Sequence, residues 1–434
     1  MSTFPRMKLR FVRNLPLQYG ANEAADRDDP NDPRYVRITD VTQDGLLRPE
    51  TFKSLPLHLA RPYLLADGDL LLARSGATVG KVFMYQSHWG RCCFAGYLIR
   101  LSVDRRRALP RFVWWYTQSK LWVQEVQLSN IQATIQNVSA ERYGEFGMPR
   151  PSLPTQQAIA VFLDRKTAAI DALIEKKQKL LALLAEKRAA LINQAVTKGL
   201  DPNVPMRDSG VAWIGEIPAH WEVRRLKEMV TMSGGSTPSK INDAYWTNGT
   251  IPWVSPKDMK RFRIADSIDH ITDQALEDGR LSLLPPGVVL VVVRGMILAR
   301  TFPVAVTEKP VTLNQDMKAL TPHRTVRAVF LGRYLAANSH AVSSIVEESG
   351  HGTKVLRVDL LGAFPVLVPP LLEQEEIERE IGVQSSRLLD ALRNLRGSIE
   401  HLQEYRQALI TAAVTGQLDI GEETSVLAVD RLEH

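Results

Sequence analysis

A segment near the middle of this chain returns near its end, and that repeat limits the fold more than any single motif. Pro151-Ser-Leu-Pro-Thr-Gln-Gln-Ala-Ile and Arg188-Ala-Ala-Leu-Ile-Asn-Gln-Ala-Val-Thr reappear as Pro369-Pro-Leu-Leu-Glu-Gln-Glu-Glu-Ile and Arg406-Gln-Ala-Leu-Ile-Thr-Ala-Ala-Val-Thr, each pair 218 positions apart. The chain is therefore a tandem duplication. Between the matched ends of the first copy, Ile159, Leu163, Ile170, Leu173, Leu180, Leu184 and Leu191 follow the three-and-four spacing of a coiled-coil seam, with Lys166, Lys177 and Lys187 filling the skipped places. The second copy offers Ile377, Ile381, Leu388, Leu395, Ile399, Leu402 and Leu409. So narrow a stripe does not make a self-sufficient domain, and the two helices are expected to pack on each other. The alternative, two ordinary core helices, requires lengths near 40 residues, which are rare.

The repeat extends beyond the helices. Tyr35-Val-Arg-Ile-Thr-Asp40 aligns with Trp253-Val-Ser-Pro-Lys-Asp258, Phe112 and Tyr116 with Phe330 and Tyr334, and Gly144 and Phe146 with Gly362 and Phe364. Each half is a head followed by a long helix. Asp67-Gly-Asp-Leu-Leu-Leu-Ala-Arg-Ser-Gly and Pro286-Gly-Val-Val-Leu-Val-Val-Val-Arg-Gly each read as a turn feeding a buried strand, and Arg111–Gln118 and Ala328–Ala337 as short helices. Arg142-Tyr-Gly-Glu-Phe-Gly-Met-Pro and Leu360-Leu-Gly-Ala-Phe-Pro-Val-Leu-Val-Pro read as the last strand of each head, ended by proline.

The expected class is α+β: two β-rich heads, each followed by a long helix, the helices pairing as an antiparallel coiled-coil neck with pseudo-twofold symmetry. The expected boundaries are a first head at 1–150, a long helix at 151–200 ended by Gly199 and Pro202, and a linker at 201–218. A second head at 219–368, a C-terminal helix at 369–420 and a flexible tail at 421–434 complete the chain. Forty-odd helical residues span roughly 60 Å, more than one DNA turn of about 34 Å.

Residue usage narrows the function. No run reaches the roughly 20 apolar residues of a membrane span, and the opening Met-Ser-Thr-Phe-Pro-Arg lacks a secretory apolar core. The two cysteines, Cys92 and Cys93, are adjacent, which suits neither a disulfide framework nor zinc spacing and points to a cytoplasmic protein. Gly76-Ala-Thr-Val-Gly-Lys81 is one residue short of a phosphate loop and has Val82 where the metal-binding hydroxyl belongs. No amino-methyltransferase tetrapeptide, nucleophile elbow or paired histidines occur, and Glu175-Lys-Lys177, part of a nuclease motif, falls on the long helix. The chain is expected to catalyse nothing and to hold neither metal nor cofactor.

A net charge of +6 suits an acidic partner such as nucleic acid. Arginine reads guanine edges, glutamine and asparagine read adenine edges, and lysine grips phosphate. On that basis the candidate DNA-binding residues are Arg37, Lys53, Arg74, Lys81, Gln132 and Gln136 in the first head. In the second they are Lys257, Lys260, Arg294, Arg300 and Lys354. Trp114, Trp115, Trp122, Trp213 and Trp253 read as core or interface anchors and not as base-stacking platforms. The rival reading is a coiled-coil scaffold joining protein partners without reading DNA.

The order head–helix–head–helix, the Pro-x-Leu-x-x-Gln openings at Pro151–Gln156 and Pro369–Gln374, and the Arg-x-Ala-Leu-Ile…Ala-Val-Thr closings resemble the specificity (S) subunit of Type I restriction-modification systems. So does Gly215-Glu-Ile-Pro-Ala-His-Trp-Glu-Val-Arg-Arg-Leu-Lys227. The resemblance covers essentially the whole chain. The first head departs from it, since Phe4-Pro-Arg-Met-Lys-Leu-Arg lacks the Trp-Glu-Val form. What the resemblance implies is a non-catalytic subunit whose two heads each read half of an asymmetric, two-part site on double-stranded DNA. The neck would set the unread spacer and dock two modification subunits, which methylate adenine with S-adenosylmethionine. Two restriction subunits using ATP and Mg2+ would complete the assembly.

Overall fold

A computed structural model describes residues 2–42, 45–130, 137–279, 281–350 and 352–420. The expected tail at 421–434 lies outside the described residues. The chain forms two compact units, and neither is one continuous stretch of head and helix. Unit 1 comprises residues 1–179 and 396–434, and unit 2 comprises residues 180–395. Each therefore holds one head and a portion of both long helices.

The head of unit 1 is built on an antiparallel sheet whose strands lie in the order Gln18–Tyr19, Leu98–Leu101, Leu70–Ala73, Val82–Met84. Leu70, Leu71 and Leu72 are fully buried, as an uninterrupted apolar run requires. The head of unit 2 repeats this order with Val230–Gly234, Met317–Pro322, Val289–Val292 and Val304–Thr307, and adds Arg263–Ile264 in parallel at the edge. A short parallel pair accompanies each sheet: Arg34–Val36 with Cys92–Phe94, and Ile251–Val254 with Thr312–Leu313. The expected short helices form at Pro110–Thr117 and Ala328–Ala337.

The last strands are shorter than the sequence suggests. Only Gly147–Pro149 and Pro365–Val368 are extended, pairing with Arg6–Lys8 and Glu222–Arg225. The residues before them form helices Ala140–Gly144 and Val358–Ala363, the first held by the Ser139 hydroxyl, which accepts the Arg142 N–H at 3.2 Å. Residues 201–218 are an ordered hairpin and not a bare linker: Met206–Asp208 pairs with Glu216–Pro218, and Ile217 is fully buried.

The long helices run over Leu153–Lys198 and Leu371–Thr415, and each ends at a glycine in the left-handed region, Gly199 (φ 78°) and Gly416 (φ 74°). The Pro-x-Leu-x-x-Gln openings now have a physical reason. Gln156 and Gln374 are both fully buried. The Gln156 Oε1 accepts the Leu109 N–H (2.8 Å) at the start of the head helix, while its Nε2 donates to the Pro151 carbonyl (2.9 Å). Gln374 does the same with Arg327 (2.8 Å) and Pro369 (2.8 Å), and adds the Thr325 carbonyl (3.1 Å). One amide thus ties the first turn of each long helix to an unpaired N–H of a head helix.

In unit 1 the first long helix starts at the head and the second ends there. Thr411 accepts the Lys120 N–H, and the Thr415 carbonyl accepts the Thr3 N–H. The two helices therefore run in opposite directions, tied by Arg406 to Asp171 at 2.8 Å. In unit 2 the roles exchange: Ala195 and Val196 from the first helix and Ile377 and Ile381 from the second share one core with Trp221 and Phe330.

The seam of the first long helix differs from expectation. Leu173 and Leu180 are 43% and 41% exposed, while Ile174 is buried and Leu181 half-buried. Strict four-three steps from Leu163 pass through Thr167, Ile170, Ile174, Lys177, Leu181, Leu184 and Arg188. Polar residues occupy three of those places, which hides the phase from a count of apolar residues alone. Thr167 is buried because its hydroxyl bonds back to the Leu163 carbonyl (2.6 Å), leaving its methyl group for packing. In the second helix the expected residues all lie on the buried side, joined by Leu392. Among the described residues no helix is long and apolar enough to cross a membrane.

Candidate nucleic-acid interface

Each head gathers polar side chains on the loops at the end of its central strand. In unit 1, Leu70–Ala73 runs directly into Arg74-Ser75-Gly76. The Arg74 N–H donates to the Tyr97 carbonyl (3.0 Å), Ser75 bridges to Asn137, and the Arg74 Nε donates to the Asn137 Oδ1 (3.4 Å). The guanidinium lies 4.6 Å from the centre of the Tyr19 ring, a contact that fixes its position without neutralising it. Tyr97 is 70% exposed. Lys81, also exposed, accepts the Ala73 N–H with its carbonyl (2.9 Å) on the returning strand.

Unit 2 repeats the arrangement. The Val293 and Arg294 N–H groups donate to the Asp316 carbonyl (2.8 and 3.2 Å), Arg294 bridges to Val355, and the Gly295 N–H donates to the Lys354 carbonyl (2.9 Å). The short turn Met296–Ala299 follows, with Met296 63% exposed and Arg300 exposed at its end. Thr237 bonds Gln315 on the adjoining loop. Both heads require a glycine beneath this edge. A Cβ on Gly20 would stand 2.3 Å from the Phe94 and Ala95 carbonyl oxygens, and one on Gly235 would stand 2.2 and 2.3 Å from those of Leu313 and Asn314. Only hydrogen fits in that space.

The structure thus brings Arg74 and Lys81 together in one head, and Arg294, Arg300 and Lys354 in the other. Among the described residues Lys53, Arg74, Lys81, Lys260, Arg294 and Arg300 form no ion pair, which leaves their charge free to attract phosphate. Other candidates are engaged within the fold. Arg37 forks onto the buried Asp40 (3.0 and 2.8 Å), which also caps the Arg37 N–H, as Asp258 caps Ser255 in the other head. Lys257 pairs with Asp269 (2.5 Å) and Lys354 with Glu348 (2.6 Å). Lys53 lies beside the Tyr35 strand and Lys260 beside the Asp258 turn, outside both loop edges. Gln132 and Gln136 lie outside the described residues. Tyr97, Met296 and Gln315 escaped sequence reasoning because they are uncharged; Gly96, beside Tyr97, was the available signal.

Little else in the heads suggests chemistry. Burial pushes the Cys92 thiol up to about 11 and the Cys93 thiol up to about 12, so both are neutral packing groups at neutral pH. Gly76–Lys81 is the turn of a hairpin, with no long helix starting behind it to cradle a phosphate. Glu175 pairs with Lys179 (2.6 Å) on an exposed helix face. Trp115, Trp122 and Trp253 are buried, whereas Trp213 is 44% exposed against Phe364.

Comparison with known proteins places this architecture. A family described as the Type I restriction modification DNA specificity domain matches twice, at residues 21–182 and 218–380. The Type I restriction enzyme EcoR124I/EcoR124II specificity subunit of Escherichia coli is 35% identical over 156 residues, 36% of this chain and 39% of that protein. The MjaIX specificity subunit of Methanocaldococcus jannaschii is 27% identical over 199 residues, 45% and 42% of the two chains. These alignments span about two fifths of the relatives' own length. Two solved structures share the fold at 18% identity. One belongs to a study of complex assembly and conformational transition of the type I R-M system, with a TM-score of 0.70 over 96% of this chain and 98% of that one. The other is the HsdS subunit from Thermoanaerobacter tengcongensis, with a TM-score of 0.54 over 96% and 97%.

Proposed function

The chain belongs to the Type I restriction modification DNA specificity family, and from that premise we propose that it reads a two-part DNA sequence, one part with each head, without catalysing a reaction itself. One observation carries the proposal. The same strand-end scaffold occurs in both heads, with its glycine, its arginine and its bridging loop, but the side chains it presents differ. Tyr97, Asn137 and Lys81 stand in one head, and Gln315, Met296, Arg300 and Lys354 in the other. A repeated frame with unlike side chains suits two unlike half-sites.

In this reading the partners are double-stranded DNA, two modification subunits and two restriction subunits. S-adenosylmethionine, ATP and Mg2+ belong to those partners. The modification subunit flips the target adenine out of the duplex to methylate it, and the long helices set the unread spacer. The test is co-expression with an adenine methyltransferase of the same system, followed by mapping of methylated adenines across a genome. A split, asymmetric motif with a fixed gap is expected, and replacing residues 1–150 by another head is expected to change one half only. A stable complex that methylates without a split motif favours a scaffold and removes this reading.

A further inference from the structure

The internal repeat allows each unit to be compared with the other, position by position, where the long helices meet the heads. In unit 1 this place is electrically closed. Arg111 pairs with Asp164 (2.7 Å), which also accepts the Trp115 indole N–H (2.8 Å), and Arg406 pairs with Asp171 (2.8 Å). In unit 2 the position matching Arg406 is again arginine, Arg188, and Trp115 is replaced by a further arginine, Arg333. The two carboxylates have no counterpart: Gly382 stands where Asp164 does, and Leu389 where Asp171 does.

The result is a cleft of about 240 Å³ whose lining includes Arg188, Arg263, Arg333, Gly382 and Leu389, with Glu378 as its one carboxylate. The Nε atoms of Arg188 and Arg333 are buried without a hydrogen-bond partner; that of Arg406 is too, but Arg406 donates to Asp171 through its Nη2 (3.1 Å). The Arg333 guanidinium lies 3.7 Å from the centre of the Phe262 ring, and burial, with Arg188 and Arg263 nearby, pulls it down to about 10. The neighbouring carboxylates are already used. Glu378 holds Arg327 (3.1 Å) and the Phe330 N–H (3.0 Å), Glu308 holds Arg263 (3.1 Å), and Glu380 bonds Gln384 (2.5 Å). Desolvated guanidinium donors without an acceptor are costly to leave unpaired.

We propose that this cleft receives a carboxylate from an acidic segment of a protein partner, at the place that Asp164 and Asp171 fill in unit 1. The ligand chemistry follows from the repeat, because the matching site is closed by carboxylates of the chain itself. Planar guanidinium groups bind a carboxylate through paired N–H donors. The inference stands whether or not the heads read DNA.

The test uses the full chain and a fluorescein-labelled hexaglutamate peptide, with binding followed by anisotropy and folding by thermal melting. Gly382→Asp restores the carboxylate seen in unit 1, and nothing lies within 4 Å of a Cβ built there. Wild-type chain is expected to bind the peptide. Gly382→Asp and Arg188→Gln are each expected to weaken binding by roughly tenfold. The melting midpoint of Gly382→Asp should hold or rise, and Lys176→Gln on the exposed helix face should bind as wild type does. The proposal is overturned if wild type and Gly382→Asp bind the peptide equally, or if neither binds. It is also overturned if the variants lose affinity for a 20-base-pair duplex and not for the peptide.

Discussion

Replacing Gln374 by alanine isolates the amide that ties the second long helix to its head. Its side chain is fully buried and makes three hydrogen bonds, with the Arg327 N–H (2.8 Å), the Pro369 carbonyl (2.8 Å) and the Thr325 carbonyl (3.1 Å). Removing it leaves one donor and two acceptors unsatisfied. At about 1 kcal/mol for each lost partner, the loss is about 3 kcal/mol. Gln156 makes two such bonds, so Gln156→Ala should lose about 2 kcal/mol. For a unit the size of residues 180–395, each kcal/mol lowers the melting temperature by roughly 2–4 °C. The Gln374→Ala midpoint should therefore fall by roughly 6–12 °C, and the Gln156→Ala midpoint by less. Thermal melting of the full-length variants measures the midpoints and urea titration the free-energy losses, with exposed Gln178→Ala as the reference. A loss below about 0.5 kcal/mol at Gln374, or a larger loss at Gln156, refutes the reasoning. Gln374→Glu adds a check of sign. Burial raises the pKa of the new carboxyl in the folded state, so its protonated form is the tolerated one. Stability should be retained at acid pH and lost as pH rises through that folded value.

Three further outcomes are expected. Arg74→Ala and Arg294→Ala should each weaken the assembled complex on DNA by about 1–3 kcal/mol and relax one half-site only, measured by mobility shift on half-site variants at fixed salt; relaxation of both halves together contradicts the assignment. Arg37→Ala should cost about 2 kcal/mol of stability, because Asp40 stays buried and keeps only the residue 37 N–H and the Thr39 hydroxyl, with no cation beside it; lost DNA affinity with unchanged melting would instead put Arg37 on the DNA. Cys92 and Cys93 have folded pKa values above the ordinary 9.0. Their contribution is complete below pH 9 and is lost as pH rises towards 11 and 12, by up to about 1.4 kcal/mol per pH unit for each thiol. Urea midpoints at pH 8 and pH 10 should show the fall, and Cys93→Ala should reduce it.

Much of the architecture was legible in the residues, because duplication prints itself twice. The long helices, the strands after Asp67 and Pro286 and the head helices all follow from local pattern: apolar spacing, turn residues and proline stops. Less of the candidate site was legible. Charge alone selected Arg37, Lys257 and Lys354 on equal terms with Arg74 and Arg294, although three of those five are held by carboxylates of the fold. Tyr97 and Gln315 carry no charge, and contacts between distant segments bring them to the loop edge: the Tyr97 carbonyl accepts the Arg74 N–H, and the Gln315 side chain bonds Thr237.

The sequence by itself determined that this chain has two similar heads and two long helices, since a 218-residue offset and a three-and-four apolar spacing survive without any tertiary contact. Tertiary structure decided which face of the first helix is buried, because Thr167, Lys177 and Arg188 take seam places that hydropathy would give to leucine. It decided that each compact unit takes portions of both helices. It also decided that Gly20 and Gly235 are equivalent, although they stand 215 positions apart and not 218. Local pattern reports what a segment buries, but only the partner segment decides where that buried face ends.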